Sequence, residues 1–309
     1  MKSYVGYYIN VIRDKSSSGG IFGALTDYVF KKGGVVYGVT MSEDFYSAHY
    51  TRASCEDNVN NLIGSKYMQA SVGDAFRNVK LDLDAGRIVL FVGTSCQING
   101  LKLFLNTEYD TLICVDIICH GVPSKLLWKQ YLQNREKLIG KCRFLNFRSK
   151  DMGWYNSGIE ENEIYTPQNE NTYMRMFLKD LCLRPSCYDC ISKKNKLSDF
   201  TIGDFWGVNE IAPEINDDRG LSVIILRTDK AKKIIESLRG QLFLKEVTYD
   251  QAVQDNPAEY ASVKRPISRK RFYRDLQIMN FDDFEKKYLE TTLYWKVVGK
   301  LKRKLSNLV

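Results

Sequence analysis

The stretch that decides the fold is Ile88-Val89-Leu90-Phe91-Val92-Gly93-Thr94-Ser95-Cys96-Gln97, an apolar run followed directly by small and polar residues. A continuous apolar run of this length predicts a strand that is buried on both faces of a sheet. A second such strand is predicted over 112–118 and leads into Cys119-His120-Gly121. Both strands therefore end in a cysteine-bearing loop, and open α/β sheets bind their ligands at the carboxyl ends of parallel strands.

The N-terminal region shows the same alternation of strands and helices. A strand over 4–12 is followed by Ser16-Ser17-Ser18-Gly19-Gly20, by a helix that starts near Ile21, and by a short strand over 35–39. We predict an α/β fold with a mixed or mostly parallel sheet, flanking helices, a partly β insertion over 141–177 and a helical C-terminal tail.

Three regions are predicted along the 309 residues. Residues 1–85 form an N-terminal α/β region with the serine–glycine turn, and residues 86–285 form a C-terminal α/β region that carries the clustered cysteines. Residues 286–309 form a basic amphipathic tail. From Lys264 to Lys304 there are thirteen Lys or Arg and five acidic residues, so this stretch carries the whole formal charge of +8.

The basic tail leaves two interpretations open. A basic amphipathic helix suits an anionic membrane surface, and it equally suits docking on the body or on a partner. Nucleic acid is not expected as a partner, because the rest of the chain has no basic excess. With no signal-like apolar run and no apolar stretch of about 18 residues, the protein is expected in the cytoplasm.

Eight cysteines in a cytoplasmic chain require a chemical explanation. Clustered cysteines in a reducing compartment indicate metal binding or catalysis rather than disulfides. Cys55, Cys114 and Cys142 are interpreted as small buried hydrophobic residues.

Cys187-x-x-Cys190 is the sharpest local motif. Two thiolates at this spacing can bind one metal ion or two irons of a cluster, and either site needs further ligands. A thioredoxin-like redox pair fits less well, because the motif follows Arg184-Pro185-Ser186 in a loop instead of opening a helix.

The missing ligands are sought at the strand ends. Cys96 and Cys119 lie there, and the preferred four-thiolate set is Cys96, Cys119, Cys187 and Cys190. Cys182, in a predicted helix over 174–183, is the reserve ligand. The residue types alone do not decide between zinc and iron–sulfur, although single cysteines in remote α/β loops favour a cluster.

Three segments have the composition of phosphate-binding turns. The serine–glycine turn, residues 16–20, can cap the following helix through serine and offer free backbone N–H groups to phosphate, although a plainly capped helix is the commoner case. Gly64-Ser65-Lys66-Tyr67 and Gly93-Thr94-Ser95 are weaker signals of the same kind. Neither the dinucleotide fingerprint nor the P-loop pattern occurs.

His120, one of two histidines, adjoins Cys119. It is interpreted as a catalytic proton carrier or hydrogen-bond donor beside a redox centre. His49, on a predicted strand, is interpreted as structural.

Seven short motifs follow one another along the chain: Ser17-Ser18-Gly19-Gly20-Ile21-Phe22, Gly64-Ser65-Lys66-Tyr67 with Gln69, Gly93-Thr94-Ser95-Cys96-Gln97, Cys119-His120-Gly121-Val122-Pro123, Asn146-Phe147-Arg148, Leu183-Arg184-Pro185-Ser186-Cys187-Tyr188-Asp189-Cys190, and Ile202-Gly203-Asp204-Phe205-Trp206-Gly207. In this order they resemble the coenzyme F420 hydrogenase/dehydrogenase beta-subunit family over roughly residues 4–240. Two features differ from that family. Ser95 stands where the family has proline, and the chain has no ferredoxin-like run of cysteines at its N-terminus.

The resemblance implies an oxidoreductase that uses FAD and a 4Fe–4S cluster. It implies that Cys96, Cys119, Cys187 and Cys190 ligate the cluster, and it makes zinc the lesser alternative. The residues that it places around the flavin are Ser17, Ser18, Gly19, Gly20, Gly64, Ser65, Lys66, Tyr67, Gln69, Gly93, Thr94 and Ser95.

The expected function is electron transfer from an external donor, such as ferredoxin or a reduced deazaflavin, through the cluster and FAD to a small or lipid-linked substrate. Resemblance and tail charge together suggest a role in cell-surface polysaccharide biosynthesis, with peripheral attachment to the inner membrane surface. The alternative is a non-catalytic, zinc-stabilised binding module.

Overall fold

The computed structural model of the chain describes residues 2–289. The predicted tail therefore lies almost entirely, from residue 290 onward, outside the described residues. Within the described part, no helix is both long and apolar enough to cross a membrane.

The strands belong to two sheets. In chain order they are β1 (Lys2–Tyr8), β2 (Val35–Met41), β3 (Ala48–Ala53), β4 (Ala70–Ser71), β5 (Val89–Thr94), β6 (Leu112–Ile117), β7 (Leu145–Ser149), β8 (Gly158–Glu161), β9 (Ile164–Pro167), β10 (Phe200–Asp204), β11 (Ser222–Leu226) and β12 (Leu242–Val247).

The helices connect and cover these strands. They are α1 (Ile12–Lys15), α2 (Ile21–Phe30), α3 (Glu56–Val59), α4 (Ala75–Asp84), α5 (Ser95–Leu105), α6 (Lys125–Ile139), α7 (Thr172–Leu178), α8 (Val208–Ile211), α9 (Asp229–Ser237), α10 (Tyr249–Val253), α11 (Arg269–Ile278) and α12 (Phe281–Leu289). Five short 3-10 helices lie at Asn60–Leu62, Pro185–Asp189, Ile191–Lys193, Pro213–Ile215 and Pro257–Glu259.

The larger sheet has nine strands in the order β12-β1-β11-β10-β6-β5-β2-β3-β4. At its centre β10, β6, β5 and β2 run parallel, and α5 forms the crossover from β5 to β6. β11 runs antiparallel to both β10 and β1, so its first residue, Ser222, lies opposite Asp204 and Gly6. The ends of β5, β6 and β10 thus meet the start of β11 at one edge, which we call the carboxyl edge.

Both faces of the central strands are buried because helices cover each side. Leu90, Val115 and Ile224 pack with α2 on one face. Phe91 and Cys114, whose side chains point the other way, pack with α4 and α5. This two-sided burial is why β5 and β6 read as continuous apolar runs.

A second layer stands beside the carboxyl edge. β7, β8 and β9 form a three-stranded antiparallel sheet, and they share a core with α6, α7, α11 and α12. The largest fully buried side chains of this core include Trp128, Tyr131, Tyr173 and Phe272. This layer contains the insertion that the sequence predicted to be partly β.

The predicted fold class is confirmed: a large mixed sheet with flanking helices and a small β insertion. Some predicted boundaries are wrong. α5 begins at Ser95, immediately after β5, whereas a turn was predicted through Gln97. α7 ends at Leu178, so Cys182 lies beyond the helix in which it was placed. The large sheet contains strands from both sides of residue 85. The regions 1–85 and 86–285 therefore share one sheet, and their division stays a prediction from the sequence.

Candidate cofactor site

The four cysteines of the preferred ligand set lie on three segments near the carboxyl edge. Cys96 is in the first turn of α5, and Cys119 follows β6, the strand next to β5. Cys187 and Cys190 belong to the turn around the short helix Pro185–Asp189. We call these four residues the cysteine site.

The third segment is attached to the loop after β6 by backbone contacts. Arg184 N–H donates to Val122 O at 2.8 Å, and Val122 N–H donates to Cys187 Sγ at 3.4 Å. Gly121 lies here because a Cβ would approach Leu183 Cδ1 to 2.8 Å and Cys187 Cβ to 3.4 Å. The turn that carries Cys187 is therefore packed directly on the Cys119 loop.

The four thiols are electrostatic neighbours. Burial and, to a smaller extent, the Cys96, Cys187 and Cys190 thiols together raise the pKa of Cys119 to about 12. Burial also raises the pKa of Cys187, with Cys96 and Cys190 contributing in the same direction. A negative charge on any one thiol thus disfavours a negative charge on the others. A bound cation would reduce this repulsion between thiolates.

The remaining cysteines lie elsewhere. All eight cysteines are free thiols, and Cys114, Cys142 and Cys182 are buried. Cys182 packs in the core of the second layer, where burial raises its pKa to about 12. Cys55 is exposed, so its interpretation as a buried hydrophobic residue is wrong.

The cysteine site is not arranged as a preformed site for one metal ion. Among residues 2–289, no three His, Cys, Asp or Glu side chains are grouped closely enough to hold a single metal ion. A tetrahedral zinc site needs all its sulfurs about 2.3 Å from one centre. A multinuclear cluster binds each thiolate to a different iron, so its ligands stand farther apart.

His120 is held beside the cysteine site by a side-chain hydrogen bond. Its Nε2 lies 2.6 Å from Asp180 Oδ1, and its ring packs edge-to-face on Phe177 at 5.1 Å. Asp180 was not anticipated from the sequence, because it follows α7 at a position of positive φ with no motif around it. A carboxylate at this position fixes the orientation of the imidazole.

The serine–glycine turn is fastened to the start of β11. Ser18 Oγ donates to Leu221 O at 2.7 Å, and Gly19 N–H donates to Ser222 Oγ at 2.9 Å. A Cβ on Gly19 would lie 2.5 Å from Gly6 O, so only glycine fits between β1 and β11. These contacts place the turn at the carboxyl edge.

The predicted serine cap of the following helix is wrong. The N-cap of α2 is Gly20, at φ +80°, and no side chain caps the helix. Ser17 instead accepts a hydrogen bond at 2.8 Å from the backbone N–H of Ser65. The turn and the Gly64–Tyr67 segment, two of the three predicted phosphate-binding stretches, are therefore in direct contact.

Two half-buried lysines flank this contact without a carboxylate partner among the described residues. Lys66 Nζ donates to Ile63 O at 2.8 Å and Asn61 O at 3.0 Å, and burial lowers its pKa to about 7. Lys150 Nζ donates to Ser18 O at 2.8 Å, and burial likewise lowers its pKa to about 7. A desolvated cation that lacks an anion is unfavourable, so both lysines suit an anionic ligand.

Lys150 was not anticipated from the sequence. It follows β7, far from the turn in sequence, and its Nζ also donates to Arg13 O at 3.0 Å and Arg219 O at 2.6 Å. The carbonyls belong to α1, to the turn that follows it and to the loop before β11. No local sequence pattern predicts that they meet at Lys150.

Two of the motifs meet in a buried ion pair. Arg148 is 3% exposed and donates to Asp204 Oδ2 at 3.0 Å and to Tyr67 Oη at 3.3 Å. Its guanidinium lies 5.1 Å from the ring centroid of Trp206, which stacks on Trp154 at 4.9 Å. Arg148 thus connects the Gly64–Tyr67 segment to the end of β10.

The third predicted phosphate-binding stretch has local roles. Gly93 packs against Tyr50, whose hydroxyl would meet a Cβ at 2.1 Å. Thr94 caps α5, with its N–H donating to Gln97 Oε1 at 2.9 Å, and Ser95 Oγ donates to Asp116 Oδ2 at 2.5 Å. Within the described part of the chain, these hydrogen bonds do not reach the serine–glycine turn. Gln69 is half-buried just before β4.

Comparison with known families identifies the part of the chain that carries the cysteine site. A sequence model for the C terminus of the coenzyme F420 hydrogenase/dehydrogenase beta subunit matches residues 86–251, more than half of the chain. The chain belongs to the coenzyme F420 hydrogenase/dehydrogenase beta-subunit family. The matched residues include all four members of the cysteine site.

A similar fold is found among solved structures. A chain in the xenon-derivatised F420-reducing NiFe hydrogenase complex from Methanosarcina barkeri is similar, with a TM-score of 0.58 and 14% identity. The alignment covers 93% of this chain and 90% of that chain. No curated protein matches the sequence significantly. Family and fold together indicate a redox subunit of hydrogenase/dehydrogenase type.

Proposed function

We propose that the chain is a flavin- and iron–sulfur-dependent oxidoreductase subunit. It takes electrons from an external donor through a 4Fe–4S cluster and FAD and delivers them to a small or lipid-linked substrate. The observation that carries this proposal is the convergence of Cys96, Cys119, Cys187 and Cys190 at the sheet edge that also holds the serine–glycine turn.

A C-x-x-C pair combined with two single cysteines from separate loops supports an iron–sulfur cluster over zinc. The four thiols also lie within electrostatic reach of one another. Burial raises the pKa of the Cys119 thiol, and a bound metal centre would stabilise its thiolate form. The burial of Cys182 in the core of the second layer supports leaving it out of the proposed ligand set.

The serine–glycine turn fits the phosphates of FAD. The uncapped N-terminus of α2 offers backbone N–H groups, and Lys66 and Lys150 supply positive charge without carboxylate partners among the described residues. All three donors of the Lys150 ammonium are taken by carbonyls, so Lys150 acts through its charge, whereas Lys66 keeps one donor for a phosphate oxygen. When bound, FAD would supply the two-electron and one-electron chemistry that these side chains lack.

His120 is the proposed proton carrier. Its bond to Asp180 engages one ring nitrogen and fixes which nitrogen faces the carboxylate. Asp180 thus holds the imidazole ready to accept or release a proton at the other nitrogen.

The decisive experiment compares cofactor content and FAD reduction in two proteins purified and reconstituted anaerobically. The wild-type chain should contain iron, sulfide and FAD, and a reduced one-electron carrier such as ferredoxin should reduce the bound FAD. C187S should bind FAD but should not allow that reduction. A colourless wild-type protein with stoichiometric zinc would instead identify the zinc-stabilised binding module.

The proposed substrate class and membrane attachment depend on the charge of the C-terminal stretch. Thirteen basic residues between Lys264 and Lys304 would favour an anionic bilayer, where lipid-linked glycan precursors reside. Vesicles containing anionic lipid should bind the full chain and release it at high salt. If deletion of residues 291–309 left vesicle binding unchanged, the tail would have no part in attachment.

A further inference from the structure

The side chains of Lys193 and Lys196, three residues apart, are both buried, but only that of Lys196 pairs with carboxylates among the described residues. Lys196 Nζ lies 3.1 Å from Asp116 Oδ2 and 3.3 Å from Glu259 Oε2. Lys193, which is 8% exposed, makes no ion pair with any carboxylate in residues 2–289. Its Nζ donates to the carbonyl oxygens of Ala258 and Ala261, both at 2.8 Å.

Carbonyl oxygens satisfy hydrogen bonds but do not neutralise the ammonium charge. Leaving a charge buried and unpaired is unfavourable by several kcal/mol in general, so a counter-ion is expected near such a group. The carboxylates of this region, Asp116 and Glu259, are occupied by Lys196 and by Arg227. The groups beside Lys193 that would carry a balancing negative charge are the cysteine-site sulfurs, once a bound cluster holds them as thiolates.

The fold places Lys193 against the cysteine site. It ends the short helix Ile191–Lys193, whose N-cap is Cys190, and its backbone N–H donates to Cys190 O at 3.3 Å. Burial lowers the pKa of Lys193, and the thiols of Cys119, Cys190 and Cys187 oppose that lowering. Lys193 is therefore attached to Cys190 through the backbone and is electrostatically coupled to three of the four proposed ligands.

The same loop holds both partners in place. Ala258 and Ala261 bind Lys193, and Ser262 Oγ accepts the N–H of Cys190 at 3.0 Å. The Lys193 ammonium and the Cys190 backbone are thus anchored to one short segment, residues 258–262, which keeps Lys193 next to the cysteine site.

We propose that Lys193 is the resident counter-ion of the cysteine site and raises the reduction potential of the iron–sulfur cluster held there. This inference rests on the proposed function. Four thiolates give the cluster a net negative charge that grows on reduction, so a fixed ammonium stabilises the reduced state more than the oxidised state. Lys193 acts through the thiolates and is not itself a ligand.

The test is the midpoint potential of the cluster in K193Q, measured by anaerobic titration with electron paramagnetic resonance. Glutamine keeps a donor for the carbonyls while removing the charge. The equilibrium constant for reduction should fall about tenfold or more, a shift of about 59 mV per tenfold for a one-electron couple. K193R should keep a potential near that of the wild type.

The matched control is K194Q, because Lys194 is the adjacent residue and is exposed. Its potential should equal that of the wild type. A K193Q cluster with wild-type potential would overturn the inference while leaving the proposed function intact. A wild-type protein without iron would instead overturn the proposed function.

A second measurement applies if K193Q fails to retain the cluster. In the metal-free protein, alkylation of the cysteine-site thiols at fixed pH should be slower in K193Q than in K194Q, because the ammonium stabilises the reactive thiolate. Equal alkylation rates would overturn the inference.

Discussion

The cysteine site and the serine–glycine turn share one sheet edge, yet they are built from different kinds of group. The first consists of side chains whose chemistry is specific to their residue type. The second consists of backbone N–H groups, of Gly19, which the close approach of β1 and β11 requires, and of Lys66 and Lys150, which come from segments distant in the sequence. Residue type and spacing in the sequence predict a site of the first kind. For a site of the second kind, the sequence predicts the separate turns, and only the fold brings the lysines and backbone groups together.

The largest expected effect separates the two sites by removing one thiolate. C187S should lose nearly all bound iron and sulfide while FAD content stays near that of the wild type, because the Cys187 thiol bonds to the Cys119 loop and not to the serine–glycine turn. Metal analysis and flavin quantification measure both. C55S, at an exposed cysteine, is the control and should retain full cluster content. A full-strength cluster in C187S would remove Cys187 from the ligand set.

The second-largest expected effect is a loss of FAD affinity without a loss of iron, the reverse of the result expected for C187S. K66M should weaken FAD binding about ten- to a hundredfold, the value of one hydrogen bond to a charged group, and should leave iron content unchanged. Titration of the flavin-free protein with FAD gives the dissociation constants. K15M, at an exposed lysine beside the turn, should bind FAD normally. Equal affinities in K66M and K15M would place the phosphates elsewhere.

The third effect is a pH dependence of stability in the flavin-free protein. The pKa of Lys66 is about 7 in the folded chain and 10.5 ordinarily. Between these values the unfolded chain binds the extra proton, so the free energy of unfolding should rise with pH from about 7 upward. Below pH 7 the folded chain carries the full cost of the buried charge.

Urea unfolding across this pH range measures the dependence, and K66M should show a smaller rise than the wild type. Lys150, with a similarly lowered pKa, retains its part of the rise in K66M. An identical rise in both proteins would show that the Lys66 ammonium is not desolvated.

The smallest effect tests how precisely the fold positions one ligand. Thr94 caps α5 and its Oγ1 lies 3.2 Å from Cys96 Sγ. T94A should lose about 0.5–2 kcal/mol of stability, as cap removal generally does, and should also release iron faster to a chelator.

T248A is the matched control for T94A. Thr248 forms the same capping arrangement with Gln251 at the start of α10, away from the cysteine site. It should lose comparable stability with no change in iron release. Equal iron release in the two variants would mean that the Thr94 contact does not position Cys96.

The fold class could be predicted from the sequence because burial leaves local patterns, whereas the ligand set, based on residue type and position, stays a prediction. β5 and β6 are buried on both faces, which produces continuous apolar runs, and the cysteines stand at their ends. The sequence did not reveal Lys150, Lys193 or Asp180. Their roles depend on carbonyls and side chains brought from distant segments. Residue type alone does not distinguish an exposed lysine from a buried one.

Metal analysis and electron paramagnetic resonance of the anaerobically reconstituted, reduced wild-type chain test the central claim most directly. The protein should contain one 4Fe–4S cluster per chain, with the spectrum of a single reduced cluster that is lost when Cys96, Cys119, Cys187 or Cys190 is replaced by serine. Stoichiometric zinc, or a cluster that survives all four replacements, would contradict it.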